Sequence, residues 1–320
     1  MNSGPSFADL EARHRARRTD LDRIADLIGW GPIEYRLSKL VKRDGRPPYP
    51  PLLMFRALLL GAWYDLSERR LEEALHDRAS FRRFCGLGAM DEAPDHSTLC
   101  TFRQRLIERG LHDKLLGLIN AQLEARGFLV KAGTMIDATV VGAAVRPSGD
   151  AQAPSDPDAA FLKQQGKPGL TFGFKAHVAA DQHSLLVREA RMTPANVAET
   201  LIADDLIRAC ADAPAVYADK AYDTHARRAL MAQLGLADFI MRRPNKHHPL
   251  TAEATARNIA IGRLRGRVET IFAVFKQNYR LRRVRYVGLA KAQFQLTLTA
   301  IAFNLRRAMR LSDTRSLSLG

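Results

Sequence analysis

Three acidic residues stand where chemistry could be done. Asp137 follows the apolar run Thr-Met-Ile and precedes Ala-Thr-Val-Val, and Asp219 closes Ala-Val-Tyr-Ala. Glu269 lies in Arg-Gly-Arg-Val-Glu-Thr-Ile-Phe-Ala-Val-Phe-Lys, an amphipathic helical pattern rich in arginine. Cleaving or transferring a phosphodiester requires charge to be stabilised on both the attacking and the leaving oxygen. Two Mg²⁺ ions ~4 Å apart can act as such a clamp. Mg²⁺ is hard and prefers carboxylate oxygen and water to sulfur or imidazole. Two strand-borne aspartates and a helix-borne glutamate can supply those oxygens, with Asp137, Asp219 and Glu269 as catalytic and metal-binding candidates.

The spacing around Glu269 sharpens this reading. At ~100° per residue, Arg265, Glu269 and Lys276 fall within a ~40° arc of one helix. Leu264, Val268, Ile271 and Phe275 form the adjoining apolar face. Glu269 then sits at the margin of the buried face, with Arg265 and Lys276 flanking it to grip phosphates. Each acid alone has a plainer explanation. A lone Asp at a strand end is more often a turn or cap residue, and Glu269 can simply pair with Arg265 at i−4. Asp181, Asp223 and the histidines read as turn or surface positions. The functional reading rests on the three acids taken with their order and the surrounding charge.

That charge is concentrated. The 320-residue chain has a formal net charge of +15. Between Arg257 and Arg310 there are thirteen Lys or Arg and a single acid, Glu269, so +12 of the total lies there. A basic stretch around a lone carboxylate suits a polyanionic partner. Cys85, Cys100 and Cys210 are odd in number and far apart, with no CxxC or Cys/His spacing. This argues against zinc and against a disulfide framework. No signal-peptide pattern opens the sequence. The longest apolar run, residues 52–64, is interrupted by Arg56 and too short to span a bilayer. A cytoplasmic, nucleoid-associated location is the expectation.

The elements that must position these residues fall into two groups. Residues 1–130 read as helical throughout, and residues 131–311 as a mixed α/β unit, with a tail at 312–320. Pro47-Pro48-Tyr49-Pro50-Pro51 breaks one helix and can start the next. Pro94-Asp95-His96-Ser97-Thr98 is a helix start, with Asp95 or Ser97 as N-cap. Strands are expected at 134–141, 172–180, 185–192, 215–218 and 237–241, with a Pro/Gly/Ser/Asp-rich loop insertion at 146–171. Helices are expected at 196–211, 225–234, 258–277 and 291–311. Three strands followed by alternating helix and strand imply a mixed sheet with helices on its faces. That order matches the ribonuclease H-like fold.

These residues together resemble a bacterial insertion-sequence transposase of the DDE type, closest to the family named after insertion sequence five. Arg265-x3-Glu269-x6-Lys276 is similar to the signature around that superfamily's catalytic glutamate. Ala218-Asp219-Lys220-Ala221-Tyr222-Asp223 and Ile136-Asp137-Ala138-Thr139-Val140-Val141 resemble the blocks around its two aspartates. Val284-Arg285-Tyr286-Val287-Gly288-Leu289-Ala290-Lys291 resembles the segment that follows. Residues 45–59 and Pro94-Asp95-His96-Ser97-Thr98-Leu99 resemble the preceding helical domain. Gly262 stands where the wider signature often has Tyr, and Ala221 where the family often has Gly; neither change removes an acid. The resemblance implies transposition: hydrolysis at the element ends, then attack of the freed 3′ hydroxyl on target DNA. It implies two Mg²⁺ ions, with Mn²⁺ able to substitute, and a homodimer on double-stranded DNA.

End recognition needs contacts to bases as well as phosphates. Residues 66–76 and 96–107 can form a helix-turn-helix-like module, although the stretch 79–90 between them is longer than a standard turn. Arg103 and Arg105 are candidate DNA contacts there. Arg280, Arg282, Arg283 and Arg285 form a denser phosphate-gripping candidate, flanked by Tyr279 and Tyr286. Two other readings are a catalytically inactive, transposase-derived DNA-binding protein or repressor, and a metal nuclease unrelated to transposition.

Overall fold

The computed structural model describes residues 18–40, 48–88, 90–149, 154–164, 166, 168–244 and 249–318. Among them, seven helices precede the first strand: α1 (Asp20–Leu27), α2 (Gly31–Ser38), α3 (Pro51–Trp63), α4 (Glu68–Asp77), α5 (Ala79–Cys85), α6 (His96–Glu108) and α7 (Leu111–Ala125). Their starts follow local chemistry. Thr19 and Asp22 form a reciprocal capping box at α1, and Pro51 occupies the first turn of α3. Asp95 rather than Ser97 caps α6, accepting the Thr98 N–H at 2.8 Å. Helix α5 occupies most of the stretch that sequence left as a long connection. Residues 45–47 of the family-like segment lie outside the described residues.

A mixed sheet follows. Its strands are β1 (Thr134–Gly142), β2 (Ala160–Lys163), β3 (Leu170–Asp181), β4 (Val187–Pro194), β5 (Ala215–Ala218) and β6 (Ala237–Ile240). The path runs β2-β3-β1-β5-β6, with β4 also on β3. β1, β3 and β4 are antiparallel, whereas β5 runs parallel to β1 and β6 parallel to β5. This is the ribonuclease H-like arrangement expected from the element order. Strand β2 lies inside the segment expected to be loop. Its four residues are too few to show a period against the Pro- and Gly-rich flanks, and its pairing with the first residues of β3 holds it.

Helices cover both faces. α8 (Glu199–Ala209) and α9 (His225–Gln233) pack one apolar cluster with Ile136, Ala179, Val216 and Ala218. On the other face lie α10 (Ala252–Arg265), α11 (Arg267–Gln277) and α12 (Leu289–Ser318). Sequence predicts one helix over 258–277; the chain instead makes two, divided at Gly266. Glycine is a poor helix residue, and the Glu269 N–H tightens to the Gly266 carbonyl at 3.2 Å. The division leaves Leu264 37% exposed, off the apolar face that keeps Val268, Ile271 and Phe275 buried. α12 continues to Ser318, seven residues past the expected end.

The helical half and the sheet share one hydrophobic cluster, running from Leu21 through Leu59 and Leu115 to Val178 and Leu305. α12 joins them: Trp63 Nε1 donates to the Ala302 carbonyl at 2.9 Å, and Asn304 accepts the Val187 N–H at 2.8 Å.

Backbone packs closely around Gly173, opposite Gly142. A Cβ there would overlap the Val141 carbonyl oxygen and crowd Ala143 N at 2.8 Å. Both atoms are backbone and cannot swing aside. Gly173→Ala is expected to cost about 2–4 kcal/mol, read as a lowered denaturant midpoint with an unchanged slope.

Candidate active site

The site begins with strand register. β1 and β5 pair in parallel with Thr134 opposite Val216 and Met135 opposite Tyr217, an offset of 82. Asp137 and Asp219 keep that offset, two residues beyond the last pair. Strand residues alternate faces, so both side chains project on the face of Met135 and Tyr217, under α10 and α11. Asp219 has extended backbone and caps the short 3₁₀ turn Lys220–Tyr222, accepting the Lys220 N–H. Burial pushes the Asp137 carboxyl up to about 6; Arg265 pulls it down, and Glu199 and Asp219 add to the rise. The charge of Asp219 therefore reaches Asp137.

Arg265 is the counter-charge. Its Nη1 donates to Asp137 Oδ2 at 3.0 Å, and its Nη2 to Glu269 Oε1 at 2.8 Å. The Asp137 and Arg265 side chains are 17% and 15% exposed, and Glu269 is 64% exposed. Two residues along β1, Lys276 Nζ donates to Thr139 Oγ1 at 2.5 Å. The predicted stripe of Arg265, Glu269 and Lys276 thus lies across β1 despite the break at Gly266. Among the described residues, no three His, Cys, Asp or Glu side chains converge to hold a metal ion. Glu269 reaches Asp137 only through the guanidinium between them.

The donor chemistry still fits a hard divalent cation. Asp137, Asp219 and Glu269 offer carboxylate oxygen alone, the donor that a hard divalent cation prefers, and the cation now held on Asp137 is the Arg265 guanidinium. Asp137 and Asp219 would be the primary holders, with Glu269 able to join from the solvent side.

The arginines chosen from sequence divide by surroundings. Arg103 is buried, with Nε 2.9 Å from Glu68 Oε1 and its guanidinium 4.0 Å from the Tyr286 ring centre. Tyr286 in turn donates to Glu68 at 2.7 Å. Arg285 bonds Asp65 and the Leu66 carbonyl, and Arg280 approaches Asp65 at 3.7 Å. These contacts tie the basic segment to the α3–α4 junction. Arg282 and Arg283 remain exposed, and no carboxylate among the described residues pairs with them. Their backbone docks on the end of β1: Gly142 N–H donates to the Arg282 carbonyl, and Val284 N–H to the Gly142 carbonyl, both at 2.9 Å. Arg105 is half-buried, with no ion-pair partner among the described residues.

Sequence reasoning missed Glu199, at the start of α8 and 3.5 Å from Lys175 Nζ, and Tyr222. The signal for Tyr222 was its place three residues after Asp219. Asp181 and Asp223, read as turn or surface residues, are both shielded: Asp181 is the last residue of β3, at the start of the turn, and Asp223 follows the 3₁₀ turn. Asp181 is fully buried and takes the Ser184 N–H and hydroxyl at 2.7 Å, while Asp223 is held by Arg228 and Arg242.

Comparison with known proteins matches residues 130–305 to the family model described as "Transposase DDE domain" and residues 8–105 to "Transposase domain (DUF772)". The chain belongs to the DDE transposases. Among solved structures, the piggyBac transposase synaptic complex with hairpin DNA aligns over 92% of this chain and 74% of that one, at 10% identity and a TM-score of 0.43. The Mos1 transposase paired-end complex with left transposon end aligns over 75% and 83%, at 11% identity and a TM-score of 0.22. Superpositions this loose carry no residue from one chain to another. Among the described residues of this transposase, no helix is long and apolar enough to cross a membrane.

His177 is 1% exposed, with Nε2 2.9 Å from Thr193 Oγ1. Burial, aided by the Lys175 charge, holds its pKa down at about 4. The unfolded chain takes up this proton near 6.5 and the folded chain only near 4. Stability is therefore present above 6.5 and lost as pH falls through that window, by about 2–3 kcal/mol. Urea unfolding at pH 7 and pH 4.5 should show this loss in the wild type and a smaller one in His177→Gln.

Proposed function

We propose that this DDE transposase cleaves double-stranded DNA at the terminal inverted repeats of its own element and joins the freed 3′ ends to target DNA. One observation carries the reading. The parallel pairing of β1 with β5 has the same 82-residue offset that separates Asp137 from Asp219, and Arg265 bonds both Asp137 and Glu269, which supports reading the three acids as one site.

Asp137 and Asp219 would hold divalent cations, with Mg²⁺ as the resident ion and Mn²⁺ as a substitute. Bound there, such ions polarise the phosphate and supply the nucleophile for in-line displacement. Arg265, bonded to both Asp137 and Glu269, would neutralise a phosphate beside the cleft, and Glu269 would join the cation's holders from its exposed position. Lys276, anchored on Thr139, holds a neighbouring phosphate of the transferred strand. Arg282 and Arg283, about 16 Å along β1 from Asp137 at ~3.3 Å per residue, extend the same cationic track. Joining two ends requires two active sites, so the working form is a homodimer on DNA.

The deciding experiment is end cleavage of DNA carrying the gene's flanking sequences, with Mg²⁺ or EDTA. Mg²⁺-dependent nicking at the repeat tips is expected, falling about 10³-fold or more in Asp219→Asn. Binding without nicking by the wild type would replace this reading with a non-catalytic DNA-binding relative.

The arginine division gives a second test. Replacing both Arg282 and Arg283 by Ala should reduce the slope of log affinity against log salt by about 2. Arg103→Ala should leave that slope unchanged and lower the unfolding midpoint instead, since its charge serves Glu68.

A further inference from the structure

The β2–β3 hairpin turns apolar side chains outward. Phe161 is 50% exposed and Leu170 63% exposed. Phe161 pairs with Phe172, and Lys163 with Leu170, in antiparallel register. Opposed residues share a face, as do residues two apart on one strand. Phe161, Lys163, Leu170 and Phe172 therefore project together, with the Phe161 and Phe172 ring centres 4.9 Å apart. Phe172 packs against the core that contains Met135 and Phe174, while Phe161 and Lys163 stay open to solvent. Single exposed apolar side chains are ordinary. An exposed ring seated on a second ring, among cations, is the arrangement on which nucleic-acid bases stack.

Register also places this surface. Along β3, Phe172 shares its face with Phe174, Ala176 and Val178, and Val178 is the partner of Asp137. The rings thus lie on the face of Asp137, about 20 Å along the strand at ~3.3 Å per residue. Gly142 pairs with Gly173, the neighbour of Phe172, and is hydrogen-bonded to the Arg282–Val284 backbone. The exposed Arg282 and Arg283 therefore stand near the level of the rings. Lys163 is a third exposed cation, and no carboxylate among the described residues pairs with it. Asp156 and Asp158, which precede β2, are committed to backbone: they accept the Gly288 N–H at 3.2 Å and the Leu289 N–H at 2.8 Å. Those bonds fix the segment entering the hairpin to the start of α12.

We propose that Phe161 is a stacking platform for an unpaired base of the DNA, with Lys163, Arg282 and Arg283 taking the adjacent phosphates. This rests on the reading of DNA as the substrate and adds to it a contact with the face of a base. In a duplex the base faces are covered by their neighbours, so only an unpaired strand presents one. A second copy of this chain would bring its own net charge of +15 against the same three cations. A DNA strand brings phosphate.

The test is fluorescence anisotropy in EDTA with labelled oligothymidylate and with a duplex of equal length, on full-length wild type, Phe161→Leu and Phe161→Trp. Leucine keeps an apolar side chain on Phe172 but has no π face; tryptophan keeps both. Phe161→Leu is expected to weaken oligothymidylate binding about fivefold or more, with duplex affinity and the salt slope unchanged, since the ring releases no counterions. Phe161→Trp is expected to bind oligothymidylate at least as tightly as wild type. Wild-type affinity for oligothymidylate in Phe161→Leu overturns the proposal, and so does an equal loss on both DNAs, which marks a structural role. A change in the sedimentation of DNA-free Phe161→Leu also overturns it, by making the surface a contact between copies. Wild-type protein that binds neither DNA overturns the substrate reading beneath. Failure of that reading thus appears in the wild type, and failure of the platform only in the variants.

Discussion

Two carboxylates at the ends of neighbouring parallel strands are costly to keep charged, first through the burial of Asp137 and then through their mutual repulsion, and the site is arranged around that cost. Parallel pairing of β1 with β5 fixes the level, and strand alternation fixes the face. Burial raises the cost of the second charge, which shows in the elevated pKa of Asp137. Arg265 offsets that cost by bridging Asp137 to Glu269. A protein cation thus holds the buried acid at the centre of the site.

The repulsion can be sustained only by a scaffold that does not let the strands part. β1 is clamped on both sides: by β3, where Gly142 and Gly173 bring the backbones into close approach, and by β5. Its far end is pinned by the Arg282–Val284 backbone. That segment is tied back to the helical half through Arg285, Tyr286, Arg103, Glu68 and Asp65. Arg285 thus helps join the two halves of the molecule, while Arg282 and Arg283 face outward. The shared core along α12 has the same effect, coupling the helices to the sheet that carries the acids.

Much was legible in the sequence because its signals are local. Cap residues such as Asp95, the β-branched run before and after Asp137, and the ends of β5 and α9 depend on neighbours a few residues away. The Arg265, Glu269 and Lys276 stripe follows from helical period alone, and it survived the break at Gly266 because the backbone on both sides of that residue stays helical. What failed was also physical. β2 is held by pairing with β3 rather than by its own four residues, and the division at Gly266 is a small local loss of helix preference inside a long periodic segment.

The sequence by itself determined the identity and order of the three acids, the clustering of positive charge after residue 257, and the alternation of strand and helix. These are properties of residue type and short-range period. Only the tertiary structure decided that Asp137 and Asp219 share one level and one face, and that Arg265 stands between Asp137 and Glu269. It also decided which arginines turn inward to Glu68 and Asp65. Each of these depends on contacts between residues tens to hundreds of positions apart. Such contacts are set by strand register and core packing, which no local pattern encodes.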